Sequence, residues 1–436
     1  MDTLSAVKVA IVTESFLPQV NGVTNSVCRV LERLEALGHE ALVVAPGRNR
    51  RSTGPAGPAP DCYAGAPVKY VRGVALPFYP SFVLGLPTRG VTSALAEFEP
   101  DVVHLASPLV LGASGAAAAR RLDVPSVAVF QTDIAGFARR YGFHGTGPVI
   151  WWWLRRLHGR TGRTLAPSTP VLAELKQRGV PRLALWGRGV DRRRFNPDHR
   201  SADLRARLAP RGEVLIGYVG RLAAEKRPRL LTRLVGIPGA RLVVVGDGPE
   251  EERLRRQLPD AVFTGFRTGT ELSELVASLD VFVHTGADET FCQAIQEALA
   301  SGVPVVAPAA GGPLDLIRPG SNGLLYAPDD DAEMRAAVNT LVADLPLRRR
   351  MSARAVESVE GRGWAAVCDE LIEHYRELTD ATARSQSAAE RELPVERPID
   401  RPVERPIERP VGPHAELSVE RAVQRAAERA REESAA

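Results

Sequence analysis

Short apolar runs alternate with longer segments of mixed polarity along most of the chain. Runs of this length predict buried strands, and the amphipathic segments between them predict helices. The alternation therefore predicts βαβ units, in which parallel sheets are covered by helices on both faces. The runs are VKVAIV (7–12), ALVVA (41–45), VKYV (68–71), VVHLA (102–106), SVAVF (126–130), TLAP (164–167), LALW (183–186), VLIGYVG (214–220), RLVVVG (241–246), VFTGF (262–266), VFVHT (281–285), PVVAP (304–308) and GLLYA (323–327).

A polar, proline-flanked stretch, NPDHRSADLRARLAPRGE (196–213), separates the seventh run from the eighth. The length of 436 residues is too great for one ordinary core, so we expect two domains. The predicted fold class is α/β, with two Rossmann-like, doubly wound domains, residues 1–198 and 199–360, that face each other across a cleft. In such domains ligands bind at the carboxyl ends of the strands.

The last part of the chain has a different character. The stretch VERPIDRPVERPIERP (395–410) repeats every four residues with a proline in each unit, which excludes a continuous helix and favours an extended segment. The segment that follows, LSVERAVQRAAERAREE (417–433), favours a short charged helix. We predict that residues 385–436 form a disordered tail that takes no part in the chemistry.

The composition, 44% hydrophobic and 25% charged, is typical of a globular protein. The chain does not begin with a charged segment and a long apolar run, so we expect neither a signal peptide nor a membrane span. The four cysteines lack disulfide or metal-ligand spacing, which favours a reducing cytosol. The net charge of +4 is modest and the arginines are scattered, which argues against nucleic-acid binding.

The stretch DETFCQAIQEALASGVPVVAP (288–308) carries two glutamates eight residues apart, Glu289 and Glu297. Thr290 is a candidate N-cap for the helix that the apolar spacing predicts, and Gly302 suits the end of that helix. Val303–Ala307 is short and apolar enough for a buried strand. Neither glutamate belongs to the apolar stripe of the helix, so both are candidates for ligand binding.

Four motifs occur in order along the two predicted domains: ESFLPQVNGV (14–23), GRLAAEKR (220–227), VVVGDGPEEERL (243–254) and the E-x7-E pair of glutamates. Together they resemble retaining glycosyltransferases of the two-domain GT-B class, of the glycosyltransferase family 4 type. FQTDIAGFARRYG (130–142) and DETFCQAIQEALASGVPVVAPAAGGPLDL (288–316) resemble, in particular, the actinobacterial GDP-mannose-dependent α-mannosyltransferases that modify glycolipids. The resemblance covers residues 7–380 and implies that a helix at 361–384 crosses back to the first domain.

The resemblance implies that Glu289 binds the transferred sugar and Glu297 the ribose of the donor. Carboxylates accept hydrogen bonds from paired hydroxyls, and eight helical positions span about 12 Å, which suits groups joined by a pyrophosphate. Phe291 and Cys292 are further donor-binding candidates. Gly22, between a strand and a helix, is expected to let the backbone approach a phosphate. Taken alone, Gly22 would be an ordinary turn glycine and Glu297 part of a solvated helix face.

Arg221 and Lys226 follow the first strand of the second domain, and both are candidate catalytic and donor-binding residues. A leaving diphosphate develops negative charge, which two fixed cations stabilise without a metal. The alternative is a surface ion pair with Glu225, which is more plausible for Lys226 than for Arg221. Because the sequence lacks a DxD-like acidic pair after a strand, we expect no metal and no cofactor besides the donor.

FQTD places Gln131 and Asp133 just after a first-domain strand, where they should face the cleft. In many relatives a histidine occupies the position of Gln131, and glutamine cannot act as a base at neutral pH. A proton relay through this position is therefore in doubt. Asp133 is a candidate catalytic residue that orients the sugar or the acceptor hydroxyl; the alternative is an N-cap for the following segment.

The resemblance, together with these residues, implies a metal-independent retaining transferase that moves α-mannose from GDP-mannose to a lipid-linked or saccharide acceptor. The resemblance implies front-face displacement, in which the leaving phosphate takes the proton and no protein nucleophile is needed. One alternative is the same fold with a UDP- or ADP-sugar donor. A second, from another class, is a sugar-nucleotide-binding protein without turnover, and the glutamine at 131 leaves room for it.

PVIWWWLRRLHGRTGR (148–163) combines three consecutive tryptophans with four arginines. On a helix the tryptophans span about 200° of the circumference, so at least one should point to solvent, a cleft or a bilayer. Tryptophan favours membrane interfaces and arginine favours anionic headgroups. One hypothesis is docking on an anionic membrane, which would place the protein in the cytoplasm, peripheral at the inner face of the cell membrane. The alternative is two core tryptophans and a third in the acceptor cleft.

Overall fold

A computed structural model describes most of the chain. The described residues are 6–19, 21–47, 53–54, 57–76, 79–86, 88–107, 109–131, 133, 136 and 145–392. The proline-rich repeat at 395–410 and the charged segment at 417–433 lie outside them, as does most of the segment that follows Asp133.

All thirteen predicted strands are confirmed, and the described residues contain four more, β3, β4, β5 and β7. The additional strands are short or interrupted by glycine and proline, so the apolar pattern does not mark them. The strands are β1 Lys8–Val12, β2 Glu40–Gly47, β3 Thr53–Gly54, β4 Gly57–Pro58, β5 Cys62–Tyr63, β6 Ala66–Leu76, β7 Tyr79–Gly85, β8 Val102–Leu105, β9 Ser126–Val129, β10 Arg163–Ala166, β11 Leu183–Leu185, β12 Val214–Val219, β13 Ala240–Val245, β14 Val262–Gly265, β15 Val281–Val283, β16 Val305–Pro308 and β17 Gly323–Tyr326.

The strands form two large sheets, as a chain of two doubly wound domains requires. The first has the order β11-β10-β9-β8-β1-β2-β6-β5, parallel from β11 to β6, with β7 antiparallel to β6. The second has the order β14-β13-β12-β15-β16-β17 and is parallel throughout. This second order is that of the Rossmann fold, in which the order of strands along the sheet reverses between the first and the fourth strand, although all strands stay parallel. The predicted fold class is confirmed.

Helices cover both sheets. In the described residues they are α1 Gly22–Ala36, α2 Arg89–Phe98, α3 Val110–Arg121, α4 Gly147–His158, α5 Thr169–Gln177, α6 Ala202–Leu208, α7 Glu251–Gln257, α8 Gly269–Ser278, α9 Gln293–Ala300, α10 Pro313–Leu316, α11 Asp331–Ala343, α12 Leu345–Ser358 and α13 Trp364–Glu392, with 3-10 helices at Pro197–His199, Ala224–Lys226 and Pro228–Leu234. None of these helices is long and apolar enough to cross a bilayer.

Packing on both faces explains why the strands read as nearly continuous apolar runs. In the first domain, one face of β1 packs with Leu31 of α1, and the other face packs with Leu95 of α2. In the second domain, Ile295 of α9 covers one face of the sheet and Val338 of α11 the other. Each sheet therefore has its own apolar core.

The last described helix, α13, lies against the first domain although it follows the second in sequence. Leu371 belongs to the same buried cluster as α1, and the indole nitrogen of Trp186 donates to the carbonyl of Val367 at 2.8 Å. Arg33 of α1 forms an ion pair with Asp369 at 2.7 Å. This helix therefore ties the end of the described chain to the first sheet.

The predicted limits of this helix and of the tail need correction. The helix was predicted at 361–384 and the tail from 385, but α13 begins at Trp364 and continues to Glu392. Residues 385–392, SQSAAERE, contain neither glycine nor proline and are rich in good helix formers, so nothing ends the helix there. The first proline after it is Pro394, and a residue before proline is disfavoured in the α conformation.

Candidate functional site

The reversal in strand order of the second sheet lies between β12 and β15. β12 leads into Gly220 and Arg221, and β15 leads into His284 and Thr285. The Thr285 hydroxyl donates to the carbonyl of Lys226 at 2.6 Å, which joins the two loops. A crevice outside such a reversal is where doubly wound sheets bind ligands. The predicted residues of the second domain are therefore in the right place for a donor site.

Helix α9 starts later than predicted. Thr290 is not its N-cap: the Thr290 hydroxyl donates to the carbonyl of Gln131 at 3.1 Å, and the Thr290 carbonyl accepts from Ser168 at 2.8 Å. The residue at the helix start is Cys292, which has a φ of 79°, unusual for a residue other than glycine. Thr290 thus joins the two domains instead of capping the helix.

A close backbone contact explains the late start. The amide of Gly312 donates to the carbonyl of Glu289 at 2.8 Å, and a Cβ at Gly312 would lie 2.0 Å from the carbonyl oxygen of Phe291. Loop 289–291 is therefore held against the glycine pair that follows β16, and the chain turns into the helix only at Cys292. The predicted end is confirmed, because Gly302 follows the C-cap residue with a φ of 71°.

Glu289 lies among positive charges. Its Oε1 atom is 2.5 Å from the ammonium of Lys226 and 3.1 Å from Nε2 of His284, and its side chain is 12% exposed. Burial alone would raise the pKa of Glu289, but Lys226 and His284 hold it well below its usual range. The carboxylate is therefore ionised and fixed in place before any ligand binds.

His284 is a residue of the site that the sequence analysis missed. It is buried, and its two ring nitrogens both lie 3.7 Å from the sulfur of Cys292. Burial alone would lower the pKa of His284, but its interactions with Cys292 and Glu289 raise it to about 10. A detectable signal was present: VFVHT has a histidine at the carboxyl end of an otherwise apolar strand.

The two predicted cations have different partners from those expected. Lys226, the more plausible partner for Glu225, pairs with Glu289 instead, and Glu289 raises the pKa of the lysine although burial opposes this. Arg221 approaches Glu225 at 3.8 Å with 40% of its side chain exposed. Since β12 ends at Val219, Arg221 lies just beyond the end of the strand, and its ion pair with Glu225 is long and solvated. Both cations are partly exposed, and the lysine is the one held by a close ion pair.

Glu297 lies in α9, two turns beyond Glu289, in a different environment. Burial raises its pKa to about 7, the positive charge of Arg194 lowers it, and the negative charge of Asp191 raises it further. Within the described residues, its carboxyl group has no hydrogen bond or ion pair. A half-buried carboxyl group without a partner is suited to accept hydroxyls from a ligand.

Gly22 is the first residue of α1, and Asn21 caps the helix by accepting from the amides of Val23 and Thr24. The amide group of Gly22 is therefore at the positive end of a helix dipole, as a phosphate site requires. The neighbour that explains the glycine is Arg188, another residue that the sequence analysis missed. A Cβ at Gly22 would lie 2.7 Å from the Nη1 atom of Arg188.

Gln131 and Asp133 follow β9 at the first-domain side of the cleft. The side-chain nitrogen of Gln131 donates to the carbonyl of Ala106 at 3.1 Å, and its oxygen accepts from Arg188 at 2.7 Å. Asp133 accepts from the amide of Gly136 at 2.8 Å, which is the hydrogen bond of the N-cap alternative. Asp133 also lines a first-domain cavity of about 430 Å³, together with Gly147, Pro148, Trp151, Arg155, Glu174, Gln177 and Arg178.

Phe291 and Cys292 are buried in the second-domain core, so their side chains lie under the site rather than on its surface. Nitrogen, oxygen and sulfur atoms of His284, Glu289 and Cys292 lie within 4.8 Å of one another, a spacing that can hold a metal ion. The cysteine spacing in the sequence gave no hint of this group. Lys226, however, already contacts the Glu289 oxygen, so a metal would have to displace its ammonium.

The three tryptophans of α4 divide as their helical spacing predicts. Trp151 is 8% exposed and stacks on Phe130, whereas Trp152 is 52% exposed. Trp153 is half-buried, and Arg155 and Arg156 are exposed. The expectation that at least one tryptophan points outward is confirmed. The alternative of two core tryptophans is not found, because only Trp151 is buried, and it is also the one that lines the cavity, while Trp152 lies on the surface.

Comparisons with known proteins agree with this architecture. The model "Glycosyltransferase Family 4" matches residues 20–194, and the model "Glycosyl transferases group 1" matches residues 200–358. Among solved structures, Anabaena HepE in complex with UDP superposes on this chain with a TM-score of 0.68 at 20% identity, over 85% of this chain and 100% of that one. Sucrose-phosphate synthase from Thermosynechococcus elongatus has a TM-score of 0.69 at 19% identity, over 86% and 100%. These likenesses show the fold.

Curated relatives are much more similar in sequence. A "GDP-mannose-dependent alpha-mannosyltransferase" of Mycobacterium tuberculosis is 52% identical over 85% of this chain and 97% of its own. A protein of the same name from Corynebacterium glutamicum is 46% identical over 88% and 92%, and the "Sulfoquinovosyl transferase SQD2" of Arabidopsis thaliana is 34% identical over 81% and 70%. The chain belongs to the family 4 glycosyltransferases of the GT-B fold, in the group that contains these actinobacterial mannosyltransferases.

Proposed function

We propose that the protein is a retaining glycosyltransferase that moves α-mannose from GDP-mannose to a glycolipid or saccharide acceptor. The observation that carries this proposal is the 52% sequence identity to a GDP-mannose-dependent alpha-mannosyltransferase over 85% of this chain. In this chain, Lys226 holds an ionised Glu289 at the donor crevice. The geometry supplies what transfer from a nucleotide sugar needs: a fixed acceptor for sugar hydroxyls, cations for the diphosphate and a separate carboxyl group for the ribose.

Each role follows from an environment described above. The Glu289 atom that is not engaged by Lys226 and His284 is free to accept sugar hydroxyls, because the two cations both contact Oε1. The leaving diphosphate gains negative charge as the glycosidic bond breaks, and Lys226 and Arg221 stabilise that charge. The acceptor oxygen bonds to the anomeric carbon as the bond to the phosphate oxygen breaks, and that phosphate oxygen takes the hydroxyl proton. Gln131 therefore does not have to act as a base, and no protein nucleophile is needed.

The metal-free part of the proposal has its own support and its own test. Lys226 supplies at Glu289 the positive charge that a metal would otherwise bring. Turnover is expected to survive EDTA. A strict requirement for Mg²⁺ or Mn²⁺, or activity restored only by Zn²⁺ after chelation, would contradict it and would point to the His284, Glu289 and Cys292 group.

A donor panel tests the main proposal against its alternatives. GDP-mannose, UDP-glucose and ADP-glucose are compared for their effect on the melting temperature and for turnover with a membrane extract or a soluble mannoside as acceptor. Stabilisation and turnover with GDP-mannose are expected. A preference for a UDP- or ADP-sugar would overturn the donor, and stabilisation without turnover of any donor would favour the sugar-nucleotide-binding alternative.

We assign the acceptor to the first domain. The 430 Å³ cavity near Asp133 combines carboxylate, amide and guanidinium groups with the edge of Trp151, which suits a hydroxylated ligand. Glu174→Gln and Gln177→Ala are expected to raise the KM for the acceptor while leaving the KM for the donor unchanged. Equal changes in both constants would remove the cavity from the acceptor path.

The lipid part of the acceptor proposal involves α4. Trp152 and Val149 are exposed, and Arg155, Arg156 and Arg160 lie close by in sequence with exposed side chains. An interfacial tryptophan next to cations is typical of a surface that docks on anionic lipid.

Co-sedimentation with liposomes tests this docking. Binding should require anionic lipid, weaken with salt and fall in an Arg155→Glu/Arg156→Glu variant. A matched reversal on α7 of the second domain, Arg253→Glu/Arg256→Glu, should leave binding unchanged. Indifference to lipid charge, salt and the α4 reversal would remove the membrane from the proposal.

A further inference from the structure

Arg188 lies three residues beyond β11, in the segment that connects the two sheets. Its Nη1 atom donates to the carbonyl of Gly22 at 3.1 Å, and its Nη2 atom donates to the side-chain oxygen of Gln131 at 2.7 Å. Both acceptors are neutral and belong to the first domain. The guanidinium therefore lies at the start of α1, on the first-domain side of the donor crevice.

The charge around this guanidinium is not balanced by the described residues. None of their carboxylates forms an ion pair with Arg188, and the start of α1 adds the positive end of a helix dipole. Burial lowers the pKa of Arg188 to about 10, opposed by the charge of Glu289, so the group stays protonated at neutral pH. Glu289 already neutralises Lys226 and also contacts His284.

Two cationic side chains therefore lie at the crevice where the two domains meet. Lys226 is paired with Glu289, whereas the hydrogen bonds of the Arg188 guanidinium to the described residues all go to neutral oxygens. A guanidinium without a carboxylate partner is suited to bind an anionic group of a ligand. The anion that a nucleotide sugar would bring to this crevice, beside the sugar-binding carboxylate, is its diphosphate.

The position of Arg188 is fixed by the helix that carries the ribose carboxylate. The side-chain nitrogen of Gln296 donates to the carbonyl of Arg188 at 3.0 Å, and that of Gln293 donates to the carbonyl of Gly189 at 2.9 Å. Gln296 is fully buried. Since both glutamines belong to α9, the linker and the helix hold the guanidinium at a constant place relative to the donor site.

Two neighbouring residues have the types that this arrangement requires. Gly22 leaves room for the guanidinium, because any Cβ there would lie 2.7 Å from Nη1. Gln131 offers a neutral oxygen, whereas a protonated histidine at the same place would repel the guanidinium. The glutamine that weakens a proton relay through position 131 is thus a suitable partner for an arginine.

We propose that Arg188 contacts the diphosphate of the donor, at the phosphate next to the sugar, as a catalytic cation in addition to Arg221 and Lys226. Gln131 is a positioning residue for it. The inference rests on the proposed function in one respect, namely that the donor is a nucleoside diphosphate sugar. It adds a group from the linker to a diphosphate site that the sequence attributes to the second domain and Gly22.

Binding of GDP and GMP by titration calorimetry tests the contact without turnover. GDP has the phosphate that Arg188 would contact and GMP lacks it. Loss of a charge-assisted hydrogen bond lowers affinity by about 10- to 100-fold. Arg188→Gln should therefore lower the affinity for GDP by that factor and leave the affinity for GMP unchanged. Arg192→Gln, an exposed arginine in the same linker, is the matched control and should change neither ligand.

Two further variants keep the test decisive if Arg188→Gln folds poorly. Arg188→Lys keeps the charge but loses the second hydrogen bond, and Gln131→Met removes an acceptor that orients the guanidinium. Each variant should lower the affinity for GDP by a smaller factor than Arg188→Gln does and leave the affinity for GMP unchanged. Equal losses for GDP and GMP, or no loss for either in variants that melt like the wild type, would overturn the proposal.

The same titrations with UDP and UMP separate this inference from the proposed donor. If the wild type binds UDP better than GDP, the donor proposal fails, and the selective loss of the diphosphate over the monophosphate still decides the role of Arg188. If GDP is preferred and the Arg188 variants do not distinguish diphosphate from monophosphate, the donor proposal stands and this inference fails.

Discussion

The candidate donor site presents two glutamates, one at the proposed sugar end and one at the proposed ribose end, and the two are prepared in opposite ways. Glu289 is held by Lys226 and His284, which keep its pKa below the usual range. Glu297 has no such partner in the described part of the chain, and burial raises its pKa to about 7. The same residue type, eight positions apart, is thus an ionised and fixed group in one place and a titrating group in the other.

The difference separates two tasks. Charge at the sugar end has to be in place when the glycosidic bond breaks, and preorganised groups need no rearrangement at that moment. Charge at the ribose end is needed only when the nucleotide binds, so its carboxyl group can complete its hydrogen bonds with the ligand itself. Changes at the sugar end should affect turnover, and changes at the ribose end should affect binding.

The largest effect is expected for Glu289→Gln. The substitution removes the negative charge that accepts the sugar hydroxyls and leaves the partly buried ammonium of Lys226 without its counter-charge. Breaking one partner of a buried pair costs about 3–5 kcal/mol, so the free energy of unfolding should fall together with turnover, which should drop by about 100-fold or more. Melting temperature and kcat are measured together.

The control for this variant is Glu252→Gln, which removes an exposed carboxylate from an ion pair on α7. Such pairs contribute less than about 1 kcal/mol, so neither stability nor kcat should change measurably. A Glu289→Gln enzyme with wild-type kcat would abolish the distinction between the two ends of the site.

The next largest effect is expected for Arg221→Ala. Its side chain is accessible and its ion pair with Glu225 is long, so the fold should lose little. If the guanidinium stabilises the leaving diphosphate, the variant should lose about 3 kcal/mol of transition-state stabilisation, and kcat should fall accordingly. Single-turnover kinetics with saturating donor measure this loss, and the melting temperature should stay within about 2 °C of the wild type.

A loss of stability that matches the loss of turnover would instead assign Arg221 a structural role. Lys226 could not serve for this comparison, because removing it would leave Glu289 unpaired and mix the two effects.

The pH dependence of donor binding distinguishes the ribose end. The pKa of Glu297 is about 7 in the free protein, and its ionised form is the one that accepts ribose hydroxyls. Donor affinity should therefore be constant above this pKa and fall as the pH is lowered through it, by about tenfold per unit well below it. Titration with GDP from pH 5.5 to 8.5 measures this midpoint.

Glu297→Gln should abolish this pH dependence and leave a uniformly weaker affinity. Glu289 should add no midpoint in the same range, because its pKa lies below it. An affinity that rises as the pH is lowered, or a midpoint that persists in Glu297→Gln, would show that another group controls binding.

Much of the fold was predictable because buried parallel strands leave a simple pattern. VLIGYVG and RLVVVG could only be buried strands, and the order of six such runs fixes the second domain. The start of α9 was not predictable, since Thr290 is a good N-cap by type and only tertiary contacts, with Gln131, Ser168 and the loop at Gly312, prevent it from acting as one. The end of α13 was missed because the proline repeat was extended too far toward the N-terminus.

The site was predictable where a residue belongs to a motif with fixed spacing, as Lys226 and Glu289 do. Arg188 and His284 were missed for physical reasons. Arg188 is one arginine among many, and what makes it special is the neutral environment that the fold builds around it. His284 depends on Cys292 and Glu289, which the loop between β15 and α9 folds back against it, so its raised pKa is a property of the folded structure.

The smallest effect is expected for Arg194→Gln, and it tests the cause of the raised pKa at the ribose end. The charge of Arg194 lowers the pKa of Glu297, and the charge of Asp191 raises it. Removing the arginine leaves burial and Asp191 unopposed, so the midpoint for GDP binding should move upward by less than about one unit, with little change in affinity at pH 8.5. Arg193→Gln, an exposed neighbour, is the control and should leave the midpoint where it is.

Two outcomes would contradict this cause. A downward shift in Arg194→Gln would mean that the arginine acts through the position of the helix rather than through its charge. Equal shifts in both variants would mean that the midpoint reports the overall charge of the linker.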